Sequence, residues 1–284
     1  MIELDIVNNM MTRAQIAEAG GVVTLTLNPP EGKPPTIDPA LFDQMEAWFD
    51  ALAKAPGEVC LEKAGIDGTQ TLTCRPRVLI VRSAVDRWFC AGANISVLQT
   101  TTESSIGPWV RRGNEVFQKL AALPIPTLAR VQGYALGGGL ELALACDLIV
   151  AGEEAVMGQT EAKLGFIPGW GASGRLPARV GASKAKHLFF TGAMVDATSA
   201  LSMGLVDQVA TGESLDESIA DLVSAMEANS PVAIAAFKRI LASKPSDWRA
   251  VMEAEAKESV DCVASAETQS RLHAFLNRRK PAKS

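Results

Sequence analysis

A chain of 284 residues, 48% hydrophobic and 21% charged, has the composition of a globular protein that can bury a sizeable core, in one large domain or two small ones. Its 27 Lys and Arg against 32 Asp and Glu leave a formal net charge of −5, which argues against a general polyanion-binding surface; nucleic acid is not an expected partner, although a local basic cluster can still hold one phosphate-bearing ligand. The cysteines, Cys60, Cys74, Cys90, Cys146 and Cys262, are odd in number and lack paired metal-ligand spacing, so a reduced compartment and no metal are expected.

The N-terminal stretch "MIELDIVNNMMTRAQ" lacks a basic segment followed by an apolar run, and no uninterrupted apolar run approaches the ~20 residues that span a bilayer. A cytoplasmic location without membrane contact is the expectation. "GVVTLTL" (21–27) then predicts a strand. "PALFDQMEAWFDALAKA" (39–55) predicts a helix: Asp38 stands as its N-cap, Pro39 as its first residue, and Leu41, Met45, Trp48, Phe49 and Leu52 line one apolar face. "GEVCLEKAGIDGTQTLTC" (57–74) reads as a hairpin or long loop around Asp67-Gly68, with a surface insertion as its plainest meaning.

Further strands are predicted at "RVLIVRS" (77–83), "PTLARVQG" (126–133), "CDLIVAG" (146–152) and "LVDQVA" (205–210), with helical segments between them. That alternation is the mark of an α/β protein. From about residue 211 helix follows helix into the basic tail "LNRRKPAKS". The division expected is a core over 1–210 and a helical region over 211–284. In that region Leu222, Met226, Ile234, Phe237, Ile240 and Leu241 are more apolar positions than one short segment should cover.

Chemistry concentrates in two places. In "VQGYALGGGLELALACD" (131–147), Gly137, Gly138 and Gly139 stand where a loop enters a helix. Glycine there lets a ligand approach the backbone, and first-turn N–H groups lack helical partners, so such a loop can aim donors at a developing negative charge. Turns of this kind also serve tight packing alone. Glu141 follows in an apolar run, where a buried unpaired carboxylate is costly; the helix dipole would favour it at an N-terminus in any case. A second acid, Glu161, lies in "MGQTEAKLGFIPGWGASGRLP", ahead of another glycine-rich bend, Gly169-Trp170-Gly171.

Four stretches together resemble the crotonase (enoyl-CoA hydratase/isomerase) superfamily: "FCAGANI" (89–95), "PIPTLARVQGYALGGGLELALACDLIVA" (124–151), "MGQTEAKLGFIPGWGASGRLPARVG" (157–181) and "TGAMVDATSALSMGLVDQV" (191–209). The resemblance runs from about residue 20 to the C-terminus. It implies a spiral of ββα units followed by a helical trimerisation region, hence a homotrimer or homohexamer. It implies reversible syn hydration of a 2-enoyl-CoA, with Glu141 activating water, Glu161 exchanging the Cα proton, and the N–H groups of Ala93 and Gly138 forming an oxyanion hole. Ala91, Gly92, Gly137, Gly169, Trp109 and Trp170 become candidate substrate contacts. No cofactor is implied beyond coenzyme A as part of the substrate.

Three positions depart from the pattern. Asn94 replaces a common aspartate, "KPPTI" (33–37) replaces an element that lies beside the adenine in relatives, and Trp170 replaces a small residue. The indole either shortens the acyl pocket or serves packing. His187 and His273 match no catalytic position, and Cys90 reads as a small buried thiol. Basic residues near the C-terminal end, Lys238, Arg278, Arg279 and Lys280, are candidates for coenzyme A phosphates, or plain surface charges.

The rivals are enoyl-CoA isomerisation, hydration of an unusual cyclic or branched acyl-CoA, and a non-catalytic acyl-CoA-binding protein. Dienoyl-CoA isomerases carry an aspartate where Gly169 stands, which favours hydration. Retention of both acids argues against loss of turnover, and "YALGGGLELA" matches no nucleotide-phosphate motif.

Overall fold

Alternating apolar and polar residues start the chain as a pair of strands. In the computed structural model, which describes residues 13–278 apart from 56, 66–67, 211–213 and 244–245, β1 (Arg13–Ala19) buries Ala14 and Ile16, and β2 (Val22–Asn28) buries Val23, Leu25 and Leu27. The two run antiparallel, Ile16 opposite Leu25. Helix α1 (Pro39–Leu52) begins as expected: the Asp38 carboxylate accepts a hydrogen bond from the Leu41 N–H at 2.9 Å, and the expected apolar face is buried together with Phe42. The 57–74 segment forms a hairpin of β3 (Val59–Gly65) and β4 (Gly68–Cys74), with Gly65 opposite Gly68. Asp67 lies outside the described residues. The hairpin leans on α1, where the Trp48 indole N–H donates to the Glu62 carbonyl at 2.7 Å.

From there the chain repeats one pass: a long strand, a three-residue strand, a helix. β5 (Val78–Ser83) leads to β6 (Trp88–Cys90), α2 (Ile95–Gln99) and α3 (Glu103–Ala121); β7 (Thr127–Val131) to β8 (Tyr134–Leu136) and α4 (Gly138–Leu144); β9 (Leu148–Gly152) to β10 (Val156–Gly158), a 3-10 turn (Glu161–Leu164), α5 (Ala172–Val180) and α6 (Ala182–Thr191). β11 (Met194–Asp196), α7 (Ala197–Met203) and β12 (Gln208–Ala210) close the series. The long strands join a six-stranded sheet in the order β1-β2-β5-β7-β9-β12, parallel except for β1; the short ones form a second sheet, β11-β10-β8-β6. This is the expected α/β spiral of ββα units.

Every residue of α4 is buried, so the helix carrying Glu141 runs through the interior. The remaining helices are α8 (Leu215–Glu227), α9 (Pro231–Ser243), α10 (Trp248–Ala264) and α11 (Ala266–Arg278). α8 lays Ile219 and Val223, with Leu222 and Met226 beside them, on Val78, Ile80, Leu128 and Val150 of the large sheet. Those two expected uncovered positions, Leu222 and Met226, are therefore covered by the chain itself. Phe237 and Leu241 on α9 stay 63% and 59% exposed. Among the described residues no helix is long and apolar enough to cross a membrane.

Candidate active site

The two glycine-rich segments meet. Glu141 sits in the first turn of α4, only 1% exposed, and its Oε1 accepts hydrogen bonds from the Trp170 N–H at 2.7 Å and the Ala172 N–H at 3.0 Å. Trp170 lies in the bend that leads into α5, and Ala172 is the first residue of that helix. Burial pushes the Glu141 carboxyl up to about 7, against those hydrogen bonds and with help from the nearby Glu161 charge. Glu161 opens the 3-10 turn, where the Gln159 side-chain amide donates to its Oε1 at 2.7 Å. Its Oε2 is shielded from solvent without a hydrogen-bond partner among the described residues, and burial raises its pKa also. Each carboxylate thus has one oxygen tied to the protein.

The bend is itself anchored. Asn114 on α3 donates from its side-chain amide to the Gly169 carbonyl at 2.5 Å, and Arg175 on α5 donates to the Trp170 carbonyl at 3.0 Å. Arg175 also reaches the Gln118 side chain at 3.2 Å. Burial lowers its pKa, while the charge of Glu141 supports the cation. Neither anchor was visible as a site residue in the sequence. Nor was Gln159, although it stands two residues before Glu161 in a stretch that carries the family resemblance.

Each of the three glycines answers a different constraint. Gly137 has a left-handed φ of 52°; a Cβ on Gly138 would lie 2.3 Å from Trp170 Cζ3, and one on Gly139 would lie 2.1 Å from the Cys90 carbonyl oxygen. Ligand approach alone therefore does not account for them: at Gly138 and Gly139, packing forbids a side chain. Cys90 is fully buried and its thiol is pushed up to about 12 by burial, in keeping with a packing role.

Beside Gly138 runs the segment after β6. Ile37 pairs with Ala93 as an isolated parallel bridge, its N–H donating to the Gly92 carbonyl at 2.8 Å and its carbonyl accepting from the Asn94 N–H at 2.8 Å. In such a bridge the N–H of Ala93 itself points away from Ile37. A Cβ on Gly92 would come within 2.9 Å of the Gly138 nitrogen, so the two segments are in direct contact. Gly138, as the first residue of α4, carries an N–H with no partner inside the helix. "KPPTI" is thus the backbone partner of this segment, the Pro35 carbonyl also accepting from Ala91 at 2.8 Å. Asn94 caps α2 by accepting from the Ser96 N–H at 3.0 Å.

A cavity of about 140 Å³ opens where these pieces converge, and Ala91, Ala93, Gly137, Gly138, Glu141 and Glu161 border it. Trp109, Gly169 and Trp170 line it as well. Of the expected site residues only Gly92 does not, lying one layer behind, against Gly138. The rest of the wall is apolar, from Ile95, Leu98, Ile106 and Val110 on one side to Leu164, Phe166 and Ile167 on the other. Neither His187 nor His273 borders the cavity. Among the described residues no group of three or more His, Cys, Asp or Glu is placed to hold a metal ion.

The basic candidates need one correction. Lys238 is bound to the Asp147 carboxylate at 2.5 Å and to the Ile125 carbonyl at 2.8 Å, its side chain 11% exposed. A lysine held inside the fold is not a free phosphate ligand. Arg278 ends α11, and Arg279 and Lys280 lie outside the described residues.

A family model for enoyl-CoA hydratase/isomerase matches residues 73–283. The chain belongs to the enoyl-CoA hydratase/isomerase family. Among members of the family, it is 36% identical over 208 residues to an enoyl-CoA isomerase/hydratase of Mycosarcoma maydis, covering 72% of this chain and 76% of that one. It is 46% identical over 133 residues to the human mitochondrial methylglutaconyl-CoA hydratase, covering 47% of this chain. That match spans 39% of the human protein's length. Among solved structures of the family, an enoyl-CoA hydratase from Bacillus anthracis superposes with a TM-score of 0.82 at 27% identity, covering 94% of this chain and 97% of that one.

Proposed function

We propose that this site catalyses the reversible syn hydration of a 2-enoyl-CoA thioester to a 3-hydroxyacyl-CoA, which makes the chain a hydro-lyase. The observation that carries the reading is the convergence of the buried carboxyl of Glu141 and the half-buried one of Glu161, both raised in pKa, on one apolar cavity that Ala93 and Gly138 also border.

The thioester oxygen accepts from the N–H groups of Ala93 and Gly138. Polarising that carbonyl makes Cβ electrophilic and stabilises enolate character, and each preorganised donor contributes on the order of 3 kcal/mol. Glu141, ionised, takes a proton from water as the oxygen bonds to Cβ; Glu161, protonated, delivers a proton to Cα as the double bond closes. The products are the hydroxyl on Cβ, the hydrogen on Cα and a proton moved from Glu161 to Glu141, and return of that proton resets the pair. Addition needs one carboxyl protonated and the other ionised. Burial that raises both carboxyls lets the pair hold a proton near neutral pH, which supports this division of labour. The coenzyme A moiety leaves with the product, and no step calls for another cofactor.

Isomerisation between 3-enoyl and 2-enoyl thioesters needs only one carboxylate to shuttle a proton. The presence of the second acid, with its own amide support from Gln159, favours hydration. Following the loss of the conjugated double bond of crotonyl-CoA in a spectrophotometer tests the reading: steady turnover supports it, and none at micromolar enzyme defeats it. Assembly as a homotrimer or homohexamer belongs to the same proposal, supported by the exposed apolar residues of the C-terminal helices, such as Phe237, Leu241, Trp248 and Val260.

A further inference from the structure

Given the hydratase reading, we infer that the acyl end of the cavity takes a short, uncharged hydrocarbon group and turns away both long chains and acyl groups that carry a second carboxylate.

Two observations converge on this. The first is charge. Among the described residues the only ionisable side chains bordering the cavity are Glu141 and Glu161, both acids, and the rest of its wall is largely aliphatic and aromatic. A second carboxylate in the acyl group would lose its water, meet no cation and face two groups that are themselves anionic when ionised. The guanidinium of Arg175 does not relieve this, because it is bound to the Trp170 carbonyl and the Gln118 side chain and does not border the cavity.

The second is a fixed floor. Trp170 is 3% exposed, and its ring fills the space that side chains would occupy at two glycines: a Cβ on Gly113 would lie 2.1 Å from Trp170 Cδ1, and one on Gly138 would lie 2.3 Å from Cζ3. Around its edge stand Phe42, Trp109 and Phe117, with ring centroids 5.1, 5.4 and 5.7 Å away in edge-on geometry. An indole held by two backbones and three rings cannot swing aside for a longer chain without displacing a packed layer. The space left is about 140 Å³, and a cavity of about 150 Å³ suits a guest the size of benzene. The mouth is open to solvent, with Leu164 and Ile167 60% and 74% exposed, so it is the packed Trp170 end that limits the acyl portion, to about four to six carbons.

The test uses the whole 284-residue chain and four thioesters: crotonyl-CoA, 2-hexenoyl-CoA, 2-decenoyl-CoA and 3-methylglutaconyl-CoA. The expected kcat/KM is at least ~10-fold higher for the two short neutral substrates than for decenoyl-CoA, and at least ~100-fold higher than for methylglutaconyl-CoA. Equal or better use of either disfavoured substrate overturns the inference. Trp170→Ala should narrow the gap between crotonyl and decenoyl substrates at least ~5-fold by opening the floor. Ile106→Lys, which puts a cation on the wall without touching the floor, should raise the use of methylglutaconyl-CoA relative to crotonyl-CoA. If Trp170→Ala does not fold, Ile106→Lys decides; no relative gain there refutes the charge argument. Calorimetric binding of butyryl-, decanoyl- and glutaryl-CoA separates this inference from the reading it rests on. Preference for butyryl-CoA without any hydration would sink the catalytic reading and leave the acyl selectivity standing, whereas hydration without such preference would do the reverse.

Discussion

Replacing Glu141 by Gln should make the protein more stable at alkaline pH while destroying its activity. The Gln side-chain carbonyl can still accept from the Trp170 and Ala172 N–H groups that now hold Oε1 at 2.7 and 3.0 Å, and it resembles the protonated acid in shape and charge. What the substitution removes is the ionised form. Moving a carboxyl from 4.5 to about 7 makes its ionised form about 3 kcal/mol costlier in the folded chain, at ~1.36 kcal/mol per tenfold. Because the folded-state value is the higher one, the native protein binds more protons than the unfolded chain across this window. The stability linked to Glu141 is therefore full below about pH 4.5, is lost as pH climbs to about 7, and is flat above. Relative to wild type, Glu141→Gln should gain about 1 kcal/mol at pH 5 and about 3 kcal/mol at pH 8. Urea unfolding at both pH values, at one fixed protomer concentration because assembly contributes, measures the difference directly. An equal gap at the two pH values, or a variant less stable than wild type at pH 8, refutes the burial argument.

Glu141→Gln and Glu161→Gln should each lower kcat at least ~100-fold with little change in KM, since each removes acid-base function and keeps shape; near-normal turnover in steady-state assays removes that residue from the mechanism. In the wild type, log kcat/KM for crotonyl-CoA should be bell-shaped, falling above about pH 7 where the Glu141–Glu161 pair gives up its shared proton, and a profile flat from pH 5 to 8 contradicts the shared-proton mechanism. Arg175→Met frees the Trp170 carbonyl and loosens the bend that clamps Glu141, so kcat should fall ~10- to 100-fold while KM stays close to normal. Loss of the cation that interacts with Glu141 should also move the limb near 7 upward in Arg175→Met, and Arg175→Lys should recover part of the activity and move the limb back, whereas a purely structural role would lower the melting temperature and leave the profile of the surviving enzyme unmoved. Light scattering at micromolar concentration should give three or six times the chain mass of 30.0 kDa; a monomer defeats the assembly proposal.

Local sequence chemistry set much of the frame. The Asp38-Pro39 start of α1, the apolar face behind it, and the long strands β2, β5, β7 and β9 all follow from spacing and capping that a few neighbouring residues dictate. Glu141 was likewise legible locally, because an acid in an apolar run after a glycine cluster at a helix entrance is an anomaly visible over five residues, and Glu161 through the stretch "MGQTEAKLGF" that carries the family resemblance. Tertiary structure decided the rest, for reasons of distance along the chain. The three-residue strands β6, β8, β10 and β11 are too short to show a period, and exist only because each finds a partner a full pass of the spiral away. Asn114 is 55 residues from the carbonyl it fixes, and Lys238 is 91 residues from the aspartate that takes it out of the running as a phosphate ligand. Whether Trp170 was a packing residue or a pocket wall could not be read from its neighbours, since the answer is both: Gly113 and Gly138 leave room for its ring, and the residue also borders the cavity. Nothing local to "GWG" encodes a gap between two backbones that the fold alone brings together.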